Sequence, residues 1–358
     1  MPERARVAVA GLGSIAIAYY LPEIRHMSRA ELVAVCDVRP DWARLQGGRF
    51  DVPHAFESFD DLLAGVEFDV LVNTSSIPAH FPLNLKALQA GKHVYSQKPF
   101  AGTVTEATTL IDEAQRRGLK LSCSPIHMLR PELQEMKRLI DAGAIGKPSL
   151  VRCRSSHGGP EYFQYRDADP TWFHQQGAGP ILDMGVHGLH QVTGLLGPAT
   201  SVSCLSGISE QVRIARSGAF DGKEIRPEVD DNTLIMLDFG RATFAVIDSS
   251  YCVKAARGPS LEIYGSAGTI VVQRRAESDA PFELYRDDRD LGFRGWISPQ
   301  VRLGAIQQSA GVQDLIDAVL DGRPAVLTPE HARHVIEIMN TCVPAAREGR
   351  TIRLETTF

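Results

Sequence analysis

Two glycines near the N-terminus have the spacing of a phosphate-binding loop. The segment Gly11-Leu12-Gly13-Ser14-Ile15-Ala16 follows a short apolar run, Arg6–Ala10, and opens a stretch with helical character. The first glycine permits a tight turn, the second lets a pyrophosphate approach the backbone, and Ala16 lets the helix pack closely on the strand. The helix N-terminus offers free N–H groups to the phosphates. We therefore predict that the loop binds a dinucleotide through Gly11, Gly13, Ser14 and Ile15.

The choice between NAD and NADP depends on the end of the next predicted strand. Asp37 ends the run Glu31–Asp37, roughly 20 residues beyond the loop, where a carboxylate accepts hydrogen bonds from the adenosine ribose. This carboxylate would repel a 2′-phosphate, which favours NAD, whereas the neighbouring Arg39 would tolerate NADP. We predict NAD as the cofactor, with NADP as the alternative.

Two later segments give the chain a resemblance to a known family. Ala87–Pro99 reads A-L-Q-A-G-K-H-V-Y-S-Q-K-P, and Gly177–His187 contains a glycine cluster followed by D-x-G-x-H. With the glycine loop, in the same order and separation, they resemble the signatures of the glucose–fructose oxidoreductase, inositol dehydrogenase and rhizopine catabolism (Gfo/Idh/MocA) family over essentially the whole chain. The resemblance implies an N-terminal Rossmann domain and a C-terminal α/β domain whose open sheet often forms the subunit interface. It also implies oxidation or reduction of a hydroxyl or keto carbon on a sugar, cyclitol or related polyol.

The resemblance further implies a catalytic set of Lys98, Asp183 and His187. Hydride transfer from a secondary alcohol needs a base for the hydroxyl proton, and His is the commonest one near neutral pH. Asp183 and His187 are spaced i, i+4 and so share one face of a helix, while Lys98 can donate a hydrogen bond to the reacting oxygen. The cofactor carries the redox step, so no metal is expected.

One position departs from the family pattern. The glutamate of its E-K-P sequence is Gln97 here. An amide can still bind a ribose or another cofactor group, but it cannot act as a charge partner for Lys98. Pro99 predicts a fixed turn after Lys98, with a cis bond as one form.

Further candidates lie in loops. Asn73, Ser75 and His80 fall where the family contacts the cofactor, although His80 would equally suit a helix cap or the core. Substrate contacts are predicted from loops rich in hydrogen-bonding and aromatic groups, although ordinary ordered loops explain these residues equally well. Those candidates are His127, His157, Tyr162, Arg166 and Trp172. His331 and His334 are interpreted as part of a solvated helix face.

The elements that position these residues alternate in the first third of the chain. Strands are predicted at Arg6–Ala10, Glu31–Asp37, Phe68–Asn73, His93–Ser96 and Lys120–Cys123. Helices are predicted at 14–26, 60–64, Leu83–Ala90 and from the Thr103/Glu106 capping signature to Gly118. This alternation predicts an α/β fold with a doubly wound parallel sheet. We assign 1–126 to a Rossmann dinucleotide-binding domain and 127–358 to a C-terminal substrate-binding and oligomerisation domain.

Strand signals then follow one another without intervening helices, which predicts a large, mostly antiparallel open sheet. After a helix at Pro131–Ala142, the runs are 149–155, Ala199–Leu205, Asn232–Phe239, Ala242–Ser249, Leu261–Tyr264 and Thr269–Val272. The polar stretches Asp221–Asp231 and Arg274–Ile297 are predicted as loops. Two helices end the chain, Gln307–Leu320 and one from Thr328 toward Gly349 that Pro344 should kink or shorten.

Composition disfavours several other classes of protein. The 358 residues are 44% hydrophobic and 23% charged with a net charge of -5, typical of a globular protein and unlike a nucleic-acid-binding surface. Neither a signal peptide nor an apolar run of roughly 18 residues is found. The six scattered cysteines lack zinc-site spacing, and no G-x-S-x-G elbow is present. We expect a cytoplasmic protein with free thiols and neither nucleic-acid nor membrane partners.

Three functions remain open. The first is an NAD-dependent oxidoreductase for a sugar, nucleotide-sugar or cyclitol. The second is a glycosidase or epimerase type of enzyme that uses bound NAD for transient oxidation without net redox change. The third is a dinucleotide-responsive regulatory protein, although the intact Lys98, Asp183 and His187 argue against a pure sensor. A homodimer or homotetramer through the C-terminal sheet is expected.

Overall fold

A computed structural model describes residues 3–163, 168–216, 218–272, 280–290, 292–301 and 306–358. The chain forms two compact units. The first comprises residues 1–129 with 305–336, and the second comprises residues 130–304 with 337–358.

The first unit is built on a six-stranded parallel sheet. Its strands are β1 (Ala5–Ala10), β2 (Ala30–Cys36), β3 (His54–Phe56), β4 (Val70–Asn73), β5 (His93–Ser96) and β6 (Leu121–Cys123). The strand order is β3-β2-β1-β4-β5-β6, so the direction of winding reverses between β1 and β4, where α/β sheets bind ligands. The predicted doubly wound parallel sheet is confirmed.

Helices connect these strands. A π-helical turn at Ala16–Tyr20 continues as α1 (Leu21–Arg25), and the chain then forms α2 (Pro40–Arg49), α3 (Phe59–Gly65), α4 (Ile77–Gln89) and α5 (Val104–Arg117). Thr103 and Glu106 form the predicted capping box, and α5 ends at Gly118 with φ +66°. The sequence did not predict β3 and α2. β3 has only three residues, and α2 contains two glycines and little apolar periodicity.

The second unit has a nine-stranded sheet. Its strands are β7 (Pro148–Arg154), β8 (Ser201–Gly207), β11 (Asn232–Asp238), β12 (Phe244–Ser250), β13 (Leu261–Gly265), β14 (Gly268–Val272), β15 (Glu283–Asp288), β16 (Phe293–Ile297) and β17 (Ile352–Arg353). A separate short ribbon pairs β9 (Arg213–Ile214) with β10 (Glu224–Ile225). Among the described residues of the nine-stranded sheet, only β7 and β12 pair in parallel. The predicted mostly antiparallel open sheet is confirmed.

The sequence was wrong about two loops. Arg274–Ile297 contains β15 and β16, and Asp221–Asp231 contains β10. β16 lies at the edge of the sheet and is largely exposed, and β15 beside it buries only Leu284 well. Such strands lack the apolar alternation on which the prediction depends.

One face of the second sheet carries helices and the other is exposed. α6 (Pro131–Asp141) packs on α7 (Val186–Leu196), and α7 packs on β7 and β12. On the opposite face, large apolar side chains are exposed to solvent in this single chain. They are Leu205, Leu234, Met236 and Phe244.

The last two helices are divided between the two compact units. α8 (Ala310–Asp321) packs its apolar stripe of Val312, Leu315 and Ile316 into the core of the first unit, and for that reason residues 305–336 belong there. α9 (Pro329–Glu348) passes from the first unit to the second after Ile336, and Pro344 does not end it.

The interpretation of His331 and His334 as a solvated face was wrong. Both side chains are buried on α9, and burial lowers the pKa of His331 to about 4, helped by the neighbouring His334. All six cysteines are free thiols, five of them buried. In the described part of the chain, each helix is too short or too polar to span a bilayer.

Candidate active site

The glycine loop lies at the carboxyl edge of the parallel sheet, where the loop after β1 meets the loop after β4. Gly11 has a φ of +89°, and a Cβ built on it would lie 2.3 Å from Ser75 Cα. The hydroxyl of Thr74 donates to the carbonyl of Gly11 at 2.6 Å and ties the two loops together. Only glycine fits at position 11, so the first glycine of the motif allows the two loops to approach each other.

Gly13, unlike the crowded Gly11, has open space beside its Cα. Apart from Gly13 itself and its neighbours in the chain, no heavy atom of the described residues lies within 4 Å of the place that a Cβ on Gly13 would occupy. A helical segment begins directly afterwards at Ser14, which is exposed, while Ile15 is half-buried and Ala16 is fully buried. Open space beside bare backbone at the start of a helix suits a pyrophosphate. The residues present therefore fit a dinucleotide.

Asp37 is a buried carboxylate with several donors. Its Oδ2 accepts from the N–H of Leu12 at 2.8 Å, and Arg39 donates to Oδ1 through Nε at 2.8 Å and to Oδ2 through Nη2 at 2.9 Å. Burial alone would raise the pKa of Asp37, but the donors on Arg39 and Leu12 outweigh it and hold that pKa below its usual value. The Arg39 guanidinium lies 5.0 Å over the ring of Trp42. Asp37 is therefore ionised and already paired beside the glycine loop.

Asn73 is fully buried at the end of β4, and its amide is bonded inside the protein. Its Nδ2 donates to Asn84 Oδ1 at 2.8 Å, and its Oδ1 accepts from the hydroxyl of Ser75 at 2.6 Å. Asn73 therefore orders the loop that carries Ser75.

His80 lies in the core, which was one of the two structural alternatives for it. Its Nδ1 is 2.7 Å from the carbonyl oxygen of Pro99, and its Nε2 is 3.0 Å from that of Ser75. Burial lowers the pKa of His80. The ring thus links the loop after β4 to the loop after β5.

The loop after β5 carries Gln97 and Lys98. The Lys98–Pro99 bond is cis. Gln97 Nε2 donates to the hydroxyl of Tyr20, and Gln97 Oε1 accepts from the hydroxyl of Ser124 at 3.2 Å. The amide that departs from the family pattern is therefore a bridge between the first helical segment and the end of β6.

Asp183 and His187 lie on one continuous helical segment, as their spacing predicted. Asp183 is buried in the π-helical turn Ile181–Gly185, and His187 is half-buried as the second residue of α7. The glycines around them allow close packing. A Cβ on Gly185 would lie 2.6 Å from Ser249 Oγ, and one on Gly188 would lie 2.9 Å from Ser155 Cβ. The glycine of D-x-G-x-H therefore lets this helix lie directly against β12.

Comparison with known proteins assigns the chain to a family. The model of the oxidoreductase family with an NAD-binding Rossmann fold matches residues 5–124, and that of the GFO/IDH/MocA C-terminal domain matches residues 133–271. The chain belongs to the GFO/IDH/MocA oxidoreductase family. The predicted family, enzyme class and NAD cofactor are thereby confirmed.

Relatives of this family member match it over nearly its whole length. It is 22% identical to myo-inositol 2-dehydrogenase of Thermotoga maritima over 98% of both chains. It is 26% identical to D-apiose dehydrogenase of Paraburkholderia graminis over 93% of this chain and 85% of that one. Among solved structures, an oxidoreductase from Agrobacterium radiobacter in complex with NAD+, L-tartaric acid and magnesium has a TM-score of 0.80 at 19% identity, with 98% of each chain covered.

Sequence reasoning missed a partner of Asp183. The hydroxyl of Tyr251 donates to Asp183 Oδ2 at 3.2 Å, and Tyr251 is fully buried just after β12. His157, predicted as a substrate contact, places its Nε2 3.8 Å from the same oxygen. A lone tyrosine after a strand forms no motif, so no sequence signal pointed to it.

A buried ionic cluster behind these side chains was also missed. The guanidinium of Arg213 donates to Glu161 at 2.6 Å and to Asp231 at 2.7 Å, and His174 Nε2 lies 2.9 Å from Glu161. Burial would raise the pKa of Glu161, but hydrogen bonds from His174 and Arg213 hold it below its usual value. In the described part of the chain no group of three or more His, Cys, Asp or Glu residues is arranged to hold a metal ion.

The other substrate candidates are spread over both units. His127 is half-buried in a short 3₁₀ turn of the first unit. In the second unit Tyr162 is half-buried beneath the guanidinium of Arg216, at 5.1 Å, and Trp172 is exposed and stacked on Phe173. Arg166 lies outside the described residues.

Proposed function

We propose that this chain is an NAD-dependent dehydrogenase or reductase that transfers a hydride between the nicotinamide and a secondary hydroxyl or keto carbon of a sugar, nucleotide-sugar or cyclitol. Two relatives that match nearly all of the chain are named for a cyclitol and a sugar. The observation that carries the proposal is the complete set of Lys98, Asp183 and His187. Lys98 precedes Pro99 in the loop after β5, while Asp183 and His187 share one helical segment.

His187 is the proposed acid and base. A neutral imidazole accepts the hydroxyl proton when the alcohol is oxidised and returns it in the reverse direction. Asp183 orients that imidazole or binds a substrate hydroxyl. Lys98 polarises the reacting oxygen by donating a hydrogen bond to it.

The cofactor contacts belong to the carboxyl edge of the six-stranded sheet. Gly13, Ser14 and Ile15 would hold the pyrophosphate, and Asp37 with Arg39 would meet the adenosine ribose. When bound, the nicotinamide supplies the hydride acceptor or donor. Ser75 and Gln97 border the same edge, and NADP is the alternative cofactor because Arg39 pairs with Asp37.

Substrate contacts are proposed from His127, Tyr162 and Trp172. Aromatic rings and hydrogen-bonding groups together suit polyhydroxylated molecules, which have apolar C–H faces and polar rims. Arg166 remains a candidate from the sequence alone.

Two properties of the whole protein belong to the same proposal. The exposed apolar face formed by Leu205, Leu234, Met236 and Phe244 supports a homodimer or homotetramer through the C-terminal sheet. Six free thiols support a reducing, cytoplasmic location.

The test is a substrate panel with the purified protein. NAD+ is incubated with cyclitols, pentoses, hexoses and UDP- and dTDP-sugars, and NADH absorbance is followed. His187→Ala should lose turnover and keep its affinity for NADH, whereas His26→Ala, at an exposed histidine, should match the parent. Unchanged turnover in His187→Ala contradicts the role of His187, and a panel in which no substrate yields NADH or is consumed contradicts the proposed activity. Consumption of a glycoside without accumulation of NADH would select transient oxidation instead.

A further inference from the structure

Asp183 is flanked by two rings whose positions are fixed relative to each other. The ring of Tyr251 stacks on the imidazole of His157 with a centroid distance of 5.2 Å and an interplanar angle of 12°. Both rings direct a polar atom at Asp183 Oδ2, from 3.2 Å for Tyr251 and 3.8 Å for His157. We propose that Tyr251 and His157 are positioning residues that hold the Asp183 carboxylate ionised and in one orientation, an inference that rests on the proposed catalytic role of Asp183.

The tautomer of His157 follows from its other ring nitrogen. The backbone N–H of Gly159 donates to His157 Nδ1 at 2.9 Å. A nitrogen that accepts a hydrogen bond carries no proton, so the neutral imidazole has its proton on Nε2. The N–H dipole at Nε2 is therefore the one next to Asp183, and its positive end favours the charged carboxylate.

The backbones of the two rings are tied to each other. The N–H of His157 donates to the carbonyl of Ser250 at 3.0 Å, and the N–H of Val253 donates to the carbonyl of His157 at 3.2 Å. These two hydrogen bonds connect the loop after β7 to the end of β12, one before Tyr251 in the sequence and one after it. These bonds support the stacked arrangement of the two rings.

Arg213 forms hydrogen bonds to the loop after β7 and to the loop after β12. Its Nη1 donates to the backbone carbonyl of Tyr251 at 3.2 Å and to the carboxylate of Glu161 at 2.6 Å. Glu161 lies four residues after His157, so a single buried guanidinium holds the segments that carry both rings. A buried charge of this kind is tolerated because Glu161 and Asp231 neutralise it.

Several titratable groups of the described residues lie around Asp183. Tyr251 and His157 face it, and His187 follows on the next turn of its own helix. His174, Glu161 and Arg213 form the layer behind Tyr251. Hydrogen bonds donated to a carboxylate favour its charged form, so removing the hydroxyl of Tyr251 should make Asp183 easier to protonate.

The test compares Tyr251→Phe with Tyr264→Phe. Tyr251→Phe keeps the stacked ring and removes one oxygen. Tyr264 is the matched control, because its hydroxyl also donates to a carboxylate, that of Glu262 at 2.6 Å on β13. With the polyol that gives the highest NADH rate in the panel, kcat should fall first where His187 is protonated and more steeply where Asp183 is protonated as well. The onset of this steeper fall should move up by about one pH unit in Tyr251→Phe, equivalent to about 1.4 kcal/mol. The affinity for NADH should stay the same, and Tyr264→Phe should match the parent in both measurements.

A second measurement needs no substrate. In protein labelled with ¹⁵N-histidine, the His157 signal, assigned through its loss in His157→Gln, should report the Nε2–H tautomer and should shift in Tyr251→Phe. A wild-type pH profile together with an unshifted His157 signal in Tyr251→Phe overturns the inference. Asp183→Asn separates the two proposals. If it retains wild-type turnover, the catalytic role proposed for Asp183 fails and the dehydrogenase activity stands, whereas an inactive Asp183→Asn beside a wild-type Tyr251→Phe removes the positioning role alone.

Discussion

Arg39 holds both carboxylate oxygens of Asp37, with Nε 2.8 Å from Oδ1 and Nη2 2.9 Å from Oδ2. The acidic residue that would reject a 2′-phosphate is therefore neutralised by a neighbour two positions along the chain. Two further contacts fix the position of the guanidinium. It lies over the ring of Trp42, and its Nη2 donates to the carbonyl of Leu12 at 3.2 Å.

This pairing predicts how cofactor preference responds to Arg39→Ala. The bare Asp37 carboxylate would repel a 2′-phosphate, so the Kd for NADPH should rise about tenfold, or about 1.4 kcal/mol. The Kd for NADH should change much less, since the ribose hydroxyls can still donate to Asp37. Both constants can be measured by nucleotide fluorescence. Arg44→Ala, which removes an exposed arginine of α2 paired with Asp41 and Glu57, is the control. Equal losses for both cofactors would contradict this role of Arg39.

Alanine substitutions of the two loop glycines should affect different properties of the protein. Gly13→Ala meets open space, so the cofactor-free protein should keep its stability within about 1 kcal/mol, while the affinity for NADH falls about tenfold or more. Gly11→Ala places a Cβ against the Ser75 backbone at a φ of +89°, and it should lose more than about 1 kcal/mol of stability. Urea denaturation without cofactor and a titration with NADH check the pair. A destabilised Gly13→Ala that binds NADH normally would reverse the assignment.

Position 97 should tolerate replacement of its amide by a carboxylate better than replacement by an apolar side chain. In Gln97→Glu the hydroxyls of Tyr20 and Ser124 can both donate to the new carboxylate, so stability should stay within about 1 kcal/mol of the parent. Gln97→Leu leaves both hydroxyls without their partner and should cost about 1–3 kcal/mol. Chemical denaturation followed by circular dichroism distinguishes them. Equal stability of the two variants would show that the bridge contributes nothing.

His331 should make the protein less stable in mild acid. Its folded pKa of about 4 lies below the ordinary 6.5, so the unfolded chain binds the proton more tightly. Stability therefore falls as pH drops from about 6.5 toward 4, and this one group should account for about 2 kcal/mol between pH 7 and pH 5. His331→Gln should flatten the decline in urea midpoints over that interval. His26→Gln, at the protein surface, should not, and a decline of the same steepness in both variants would exclude His331 as its source.

Local patterns explain why so much of the fold could be predicted. Buried parallel strands such as β1 and β4 are mostly apolar runs, and Thr103 and Glu106 mark the start of α5. The edge strand β16 and its neighbour β15 were missed because they lack the apolar alternation of half-buried strands. α8 was predicted as a helix, but its position was not, since an apolar stripe does not say which sheet will cover it.

The same distinction holds for the site. The glycine loop and the Asp183–His187 pair are short-range patterns, so their spacing was readable. Tyr251 meets Asp183 across 68 residues of sequence, and Arg213 meets Glu161 across 52. Contacts of that range are set by how β12 and the β9 ribbon are placed in the tertiary fold. A single sequence carries no periodicity that reports them.

The interleaved course of the chain has a consequence for how this protein can be cut and recombined. The nucleotide-binding unit takes its core residues Val312, Leu315 and Ile316 from a segment that follows the whole nine-stranded sheet. Residues 1–129 expressed alone would expose the apolar surface that α8 covers. A chimaera that exchanges this unit with a relative must therefore exchange two separate gene segments. A single crossover near residue 129 would combine the six-stranded sheet of one protein with the α8 helix of the other.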